Sequence, residues 1–323
     1  MKVPVIILSG FLGSGKTTLL LRLLQAIEQQ NLQAGVLMNE LGQQDVDGMI
    51  LDPSLGNGAI EKLLDGCICC SKKSEIEASI HKLLQRQPDL ILIELTGVAN
   101  PEEVVEAMTE PALIGQVVLH RIITIVNADF FLEYDSILNP DRELKHTLRR
   151  QVETADYILI NKQDLVTPKT LLKVEQAVRK LNATAPIRLT MNADIEPTYL
   201  LKGITALPKV QRKSFHVIAP THEQTATVPH TPSFSKLKTV SIPVQPLSMI
   251  STKGLQQLVK SWGKGLLRAK GYLPIEGKLR LMQVANGQLT IEPTQQQVPP
   301  YLVLIGFEKE VMEAKKLVEQ HFA

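Results

Sequence analysis

The sequence predicts an α/β fold: a domain on a mostly parallel sheet, followed by a small C-terminal α+β domain. Three observations carry that expectation. Short apolar runs alternate with helical stretches through roughly the first 200 residues, and strands separated by helices build parallel sheets covered on both faces. A glycine-rich turn links the first apolar run to the first helical one. Near residue 206 the alternation stops, and it resumes later around a hairpin signal.

The elements follow in order. "VPVIILS" (3–9) is a continuous apolar run, the mark of a strand buried on both faces. "TTLLLRLLQAIEQQ" (17–30) spaces its leucines as a helix does. Further strands are expected at 34–39, 89–95, 121–128, 156–162 and 186–192, and an amphipathic helix at 168–182. The stretch 207–234 holds four prolines and little periodicity, so it reads as a link. Beyond it come a strand (238–244), a helix (251–262), a hairpin around "ANGQ" (285–288), a strand (301–307) and a last helix (308–321). Asn286-Gly287 is a strong two-residue turn signal. "RAKG" (268–271) reads as a compact basic turn, either solvated or in contact with the first domain, and spacing does not decide between them. The expected limits are a first domain at 1–205, a linker at 206–235 and a second domain at 236–323.

Composition narrows the function classes. At 44% hydrophobic and 21% charged residues, the chain can bury a sizeable core. A net charge of +2 gives no reason to expect nucleic acid or an anionic membrane. No apolar run approaches the ~18 residues of a membrane span. The start, "MKVPVIILSG", has a short apolar run but no small-residue cleavage pattern, and reads as a first strand. The three cysteines, Cys67, Cys69 and Cys70, fall within "GCICC". That is a poor disulfide framework, and it favours a reducing cytoplasm.

"GFLGSGKT", Gly10 to Thr17, fits G-x-x-x-x-G-K-[ST] between a strand and a helix. Gly10, Gly13 and Gly15 let the backbone curl, so that amides around Ser14 point inward at phosphate oxygens. The helix N-terminus adds partial positive charge. Lys16 can reach the β and γ phosphates, and the Thr17 hydroxyl can ligate Mg²⁺. "NKQD", Asn161 to Asp164, follows the strand "YILI". A carboxylate at Asp164 can accept from the N1–H and amino group of guanine, whereas adenine would leave it unpaired. Glu94 ends the run "LILI" before Leu95-Thr96-Gly97, where an acid suits an Mg²⁺ or switch role. Together these make the first domain a P-loop GTPase.

The cysteine loop has C-x-x-C spacing plus a third sulfur. Thiolates suit Zn²⁺ and similar ions. Structural zinc sites close with four ligands, so three thiolates leave a position open for transfer. Lys72 and Lys73 follow and favour thiolate. A redox dithiol or inert buried cysteines are the competing readings; metal binding accounts for all three sulfurs and for the nucleotide. Further ligands lie in "NELGQQDVDG": Asn39, Glu40, Asp45 and Asp47, of which Asp45 reads as a solvated loop residue. His216, His222 and His230 are not at metal-ligand spacing.

At this point the residues resemble a family. "SGFLGSGKTT", "NELG", "GCICC", "ELTG", "NKQD" and "RAKGYL" are similar, in that order, to the CobW-type metallochaperone GTPases. These are cousins of the hydrogenase and urease nickel-insertion GTPases. The resemblance implies GTP phosphates on Gly13 to Thr18 and guanine on Asn161, Lys162 and Asp164. It implies metal on Cys67, Cys69 and Cys70, with Glu40 and Asp47 as the acids of a switch-like loop. It further implies slow GTP hydrolysis served by Lys16, Asp47 and Glu94, a homodimer, and zinc delivery to client proteins. Departures are Gln43, Asn127 in "VNA", Leu95 in "ELTG" and a sparse histidine stretch, the last of which argues against metal storage and leaves transfer intact. The expected protein is a cytoplasmic GTPase that uses GTP/GDP, Mg²⁺ and Zn²⁺ and hands metal to a client metalloprotein. The rival readings are a redox-loop GTP switch, a P-loop kinase or ATPase, and a GTP-binding scaffold.

Overall fold

The computed structural model describes residues 1–38, 59–62, 72–136, 142–207, 235–245, 250–262, 266–285, 287–295 and 298–322. The chain divides into two compact units. One comprises Met1–Asn100 with Pro111–Phe234, the other Pro101–Glu110 with Ser235–Ala323.

In the first unit the strands are β1 (Val3–Gly10), β2 (Ala34–Met38), β3 (Ala59–Lys62), β4 (Leu90–Glu94), β5 (Val117–Asn127), β6 (Tyr157–Asn161) and β7 (Ile187–Leu189). They form one parallel sheet in the order β3-β2-β4-β1-β5-β6-β7. β1 runs Val5-Ile6-Ile7-Leu8 without exposure on either side, which is why its sequence does not alternate. Burying each such side chain stabilises the fold by roughly 1.5–3 kcal/mol.

Two apolar layers cover the sheet. Leu19, Leu20, Leu23 and Ile27 of helix α1 (Lys16–Gln29) pack with Ile6, Leu8 and Leu92. The other layer gathers Val126, Ile158 and Ile160 with Leu148, Val152, Val174 and Val178. Those last four come from α5 (Arg142–Glu153) and α6 (Pro168–Leu181), which follow α2 (Lys72–Gln85), α3 (Pro101–Ala107) and α4 (Phe131–Asp135). β1 pairs with β4 on one side and β5 on the other. From β1 the order turns outward in both directions, and ligand crevices of open α/β sheets lie at such a point, beyond the carboxyl ends.

The second unit has strands β8 (Leu237–Pro243), β9 (Leu266–Ile275), β10 (Lys278–Ala285), β11 (Gln288–Pro293) and β12 (Tyr301–Phe307) in the order β11-β10-β9-β12-β8. All its ladders are antiparallel. Helices α7 (Thr252–Ser261) and α8 (Glu308–Phe322) bury Leu255, Leu258, Val311 and Val318 against Ala269, Leu273, Met282 and Leu304. The hairpin expected between β10 and β11 forms, with Ala285 opposite Gln288 and Gly287 at φ 74.

Three expectations need correction. "RAKG" is no turn: Arg268 to Gly271 lie inside β9, paired on both sides. The strand expected at 186–192 stops at Leu189, because the next residues build a loop. The strand expected at 121–128 begins earlier, at Val117. Among the described residues the helices α2, α3, α4 and α5 were not foreseen. α5 shows why: "RELKHTLRRQVE" carries so many charges that its buried stripe, Leu148, Gln151 and Val152, is thin. Of the expected linker, 208–234 lies outside the described residues.

Candidate functional site: a nucleotide crevice at the sheet's carboxyl edge

The carboxyl ends of β1, β4 and β6 bring Gly10, Glu94 and Asn161 to one edge of the sheet. Leu8 is level with Glu94, and Asn127 with Asn161. The sequence motifs therefore converge in space although about 150 residues separate Gly10 from Asn161.

The loop from Gly10 to Gly15 runs into α1 with left-handed glycines, φ 138 at Gly10, 65 at Gly13 and 108 at Gly15. At Gly15 the requirement is spatial too, since a Cβ there would stand 2.5 Å from Asn161 Nδ2. Such backbone turns amides inward and forms an anion cradle at a helix N-terminus. Lys16 is largely buried, and its ammonium donates to the carbonyls of Gly10 (2.9 Å) and Phe11 (3.2 Å). Among the described residues the buried Ser14 hydroxyl has no hydrogen-bond partner. A buried unpartnered hydroxyl in such a cradle fits an incoming phosphate oxygen. Thr18 is exposed one residue further on.

Thr17 Oγ1 donates to Glu94 Oε1 at 2.7 Å, joining the P-loop to β4. A hydroxyl beside a carboxylate is the oxygen donor set that Mg²⁺ takes next to a nucleotide. These two residues fit that ion and would hold it, and the ion would neutralise phosphate charge.

The side of the crevice beyond β6 is built around Asn161, which is 1% exposed. Its Nδ2 donates to the Ser14 carbonyl at 2.8 Å. Its Oδ1 accepts from the Ala193 amide at 2.8 Å and from Thr190 Oγ1 at 3.1 Å. One side chain thus locks three segments: the P-loop, the end of β6 and the loop after β7. Lys162 follows in left-handed conformation at φ 61. That turn starts the 3₁₀ segment Gln163–Leu165, which leaves Asp164 exposed. Thr190 and Ala193 are site residues that sequence reasoning missed. Ala193 acts through its amide, at φ 52, so its side chain carries no signal.

Lys16, Thr17, Glu94 and Asn161 come together as the motifs require. Glu40, Asp47, Cys67, Cys69 and Cys70 lie outside the described residues, as do Asn39, Asp45, Gln43, His216, His222 and His230. Among the described residues there is no His/Cys/Asp/Glu cluster able to hold a metal, and no helix long and apolar enough to cross a membrane.

The nucleotide-binding domain described as CobW/HypB/UreG matches residues 4–188, and the cobalamin synthesis protein CobW C-terminal domain matches 240–320. The chain is 29% identical over 311 residues to the zinc chaperone CobW of a Sinorhizobium species, covering 88% of this chain and 86% of that one. It is 30% identical to the zinc chaperone YjiA of Escherichia coli, covering 85% and 83%. The crystal structure of Zn(II)-bound YjiA GTPase superposes over 99% of both chains with a TM-score of 0.50 at 21% identity, which supports the fold. With both domain matches in place and the crevice assembled as they require, the chain belongs to the CobW/HypB/UreG family.

Proposed function

We propose that the protein is a GTP-hydrolysing metallochaperone that carries zinc on its Cys67–Cys70 loop and hands it to client metalloproteins. The observation that carries the nucleotide half is the Asn161 network, which ties the base-reading loop to the phosphate cradle. Asn161, Lys162 and Asp164 read guanine. Gly10, Gly13, Ser14, Gly15, Lys16, Thr17 and Thr18 hold the phosphates. Lys16 stabilises the charge that develops on the transferring phosphoryl group, while Glu94 orients Thr17 through their shared proton. Asp47 belongs to the switch-like loop and positions the attacking water.

The metal half is supported by the C-x-C-C motif and by relatives named as zinc chaperones. Zinc is cargo here, held by Cys67, Cys69 and Cys70 with Glu40 as fourth ligand. GTP would order the loop around Glu40 and Asp47 and so set how tightly zinc is held. We also propose a cytoplasmic homodimer, with domain limits at 1–205 and 236–323 around the linker 206–235.

Phosphate release from Mg·GTP and Mg·ATP tests the nucleotide assignment. We expect slow turnover of GTP and at least ~100-fold poorer turnover of ATP, because Asp164 stays unpaired against adenine. Equal turnover of the two would favour a kinase or ATPase reading instead.

A further inference from the structure

The ten residues Pro101–Glu110 belong to the C-terminal unit although the chain on either side of them belongs to the first. Their helix, α3, packs on β9 and β12. Glu106, which is 3% exposed, pairs with Arg268 of β9, and Glu103 reaches the same guanidinium at 3.3 Å. Glu110 pairs with Lys270, two residues along the same strand. Alternate residues of a strand share a face, so Arg268 and Lys270 form a basic row against an acidic one. Glu103 and Glu106 are three apart, on one face of α3, and Glu110 lies in the turn beyond its end at Ala107.

What precedes α3 is the segment that leaves the end of β4 and passes the P-loop. Val98, Ala99 and Asn100 are all that stand between Gly97 and Pro101. Gly97 lies against the P-loop so closely that a Cβ on it would come within 2.5 Å of Leu12. Gln151 of α5 donates to the carbonyls of Gly97 (3.1 Å) and Ala99 (3.0 Å). The segment from Glu94 to Asn100 is therefore fastened upstream by the Glu94–Thr17 bond and within by Gln151. Downstream it runs directly into a helix clamped by ions.

We propose that Arg268 and Lys270 are positioning residues for GTP binding: by clamping α3 and the turn that follows it they hold the Gly97 amide ready beside the P-loop. A γ-phosphate at the end of the cradle draws on that amide. GDP has none to offer, so the clamp favours GTP over GDP. The physical reason is preorganisation. A segment already fixed at both ends loses little conformational entropy when the ligand arrives. The inference rests on the guanine-nucleotide reading above.

The test compares Kd for Mg·GDP and for a non-hydrolysable GTP analogue in wild type, Arg268→Met and Arg268→Lys. Arg268→Met is expected to weaken the analogue about fivefold or more, in the range of ordinary coupling between sites. Its GDP affinity should stay within twofold of wild type, and Arg268→Lys should restore most of the loss. Equal changes for both nucleotides, or none, would overturn the proposal. A wild type that binds neither would instead sink the nucleotide reading itself. Amide exchange on the wild-type chain needs no variant to fold. The analogue, but not GDP, should protect both 95–100 and 102–110. Protection confined to 95–100 would contradict the clamp.

Discussion

Asn161→Ala is expected to cost the protein both stability and its nucleotide. The substitution leaves the Ser14 carbonyl, the Ala193 amide and the Thr190 hydroxyl without the partner they share. Each buried group stripped of its partner costs roughly 1–3 kcal/mol. With partial relaxation, a loss of about 3 kcal/mol in unfolding free energy follows. The three segments that Asn161 ties together are, in the proposed reading, the ones that hold base and phosphate. Guanine-nucleotide affinity should then fall on the order of 100-fold, by analogy with sites whose buried polar groups lose their match. Urea unfolding and titration with a fluorescent GDP derivative read the two effects separately. Unchanged GDP affinity in a folded variant would remove Asn161 from the base site.

Lys16→Ala should behave differently. The ammonium's bonds to the carbonyls of Gly10 and Phe11 are charge-assisted, so unfolding free energy should fall by about 1.5–3 kcal/mol. Hydrolysis should suffer more. Taking one preorganised positive donor from a charge-stabilising site typically costs 10²–10³ in rate. Single-turnover phosphate release separates the two effects. A variant that hydrolyses GTP at the wild-type rate would show that the cradle is not the catalytic centre.

Much of this site is legible in the sequence because its chemistry is local. The P-loop must be contiguous, since successive amides and Lys16 address one phosphate chain. "NKQD" must be contiguous as well, since one turn presents Lys162 and Asp164. The parallel sheet is legible for a related reason: strands such as "VIIL" are buried on both faces and leave no polar position.

What escapes is chemistry that works at a distance or through the backbone. Thr190 and Ala193 serve Asn161 from about 30 residues away, and one of them does so by its amide alone. Glu103, Glu106 and Glu110 look like the solvated face of an ordinary helix. Their partners, Arg268 and Lys270, lie some 160 residues further on. A reading of spacing also misplaced those two in a turn, because charges flanking a glycine resemble a turn more than a strand. Pairing with β10 and β12 decides the matter, and no local propensity encodes it.

The central claim is that nucleotide state governs a transferable grip on zinc. It is tested most directly by anaerobic zinc titration against a competing chelator dye. The samples are wild type and a Cys67/Cys69/Cys70→Ser variant, each without nucleotide, with Mg·GDP and with a non-hydrolysable GTP analogue. The account predicts one tight zinc per chain, lost in the triple variant, with an affinity that differs at least about fivefold between the GDP and analogue states. Affinity that is the same in all three nucleotide states, or unaffected by the triple substitution, would contradict it, because a ligand that binds two states equally shifts neither.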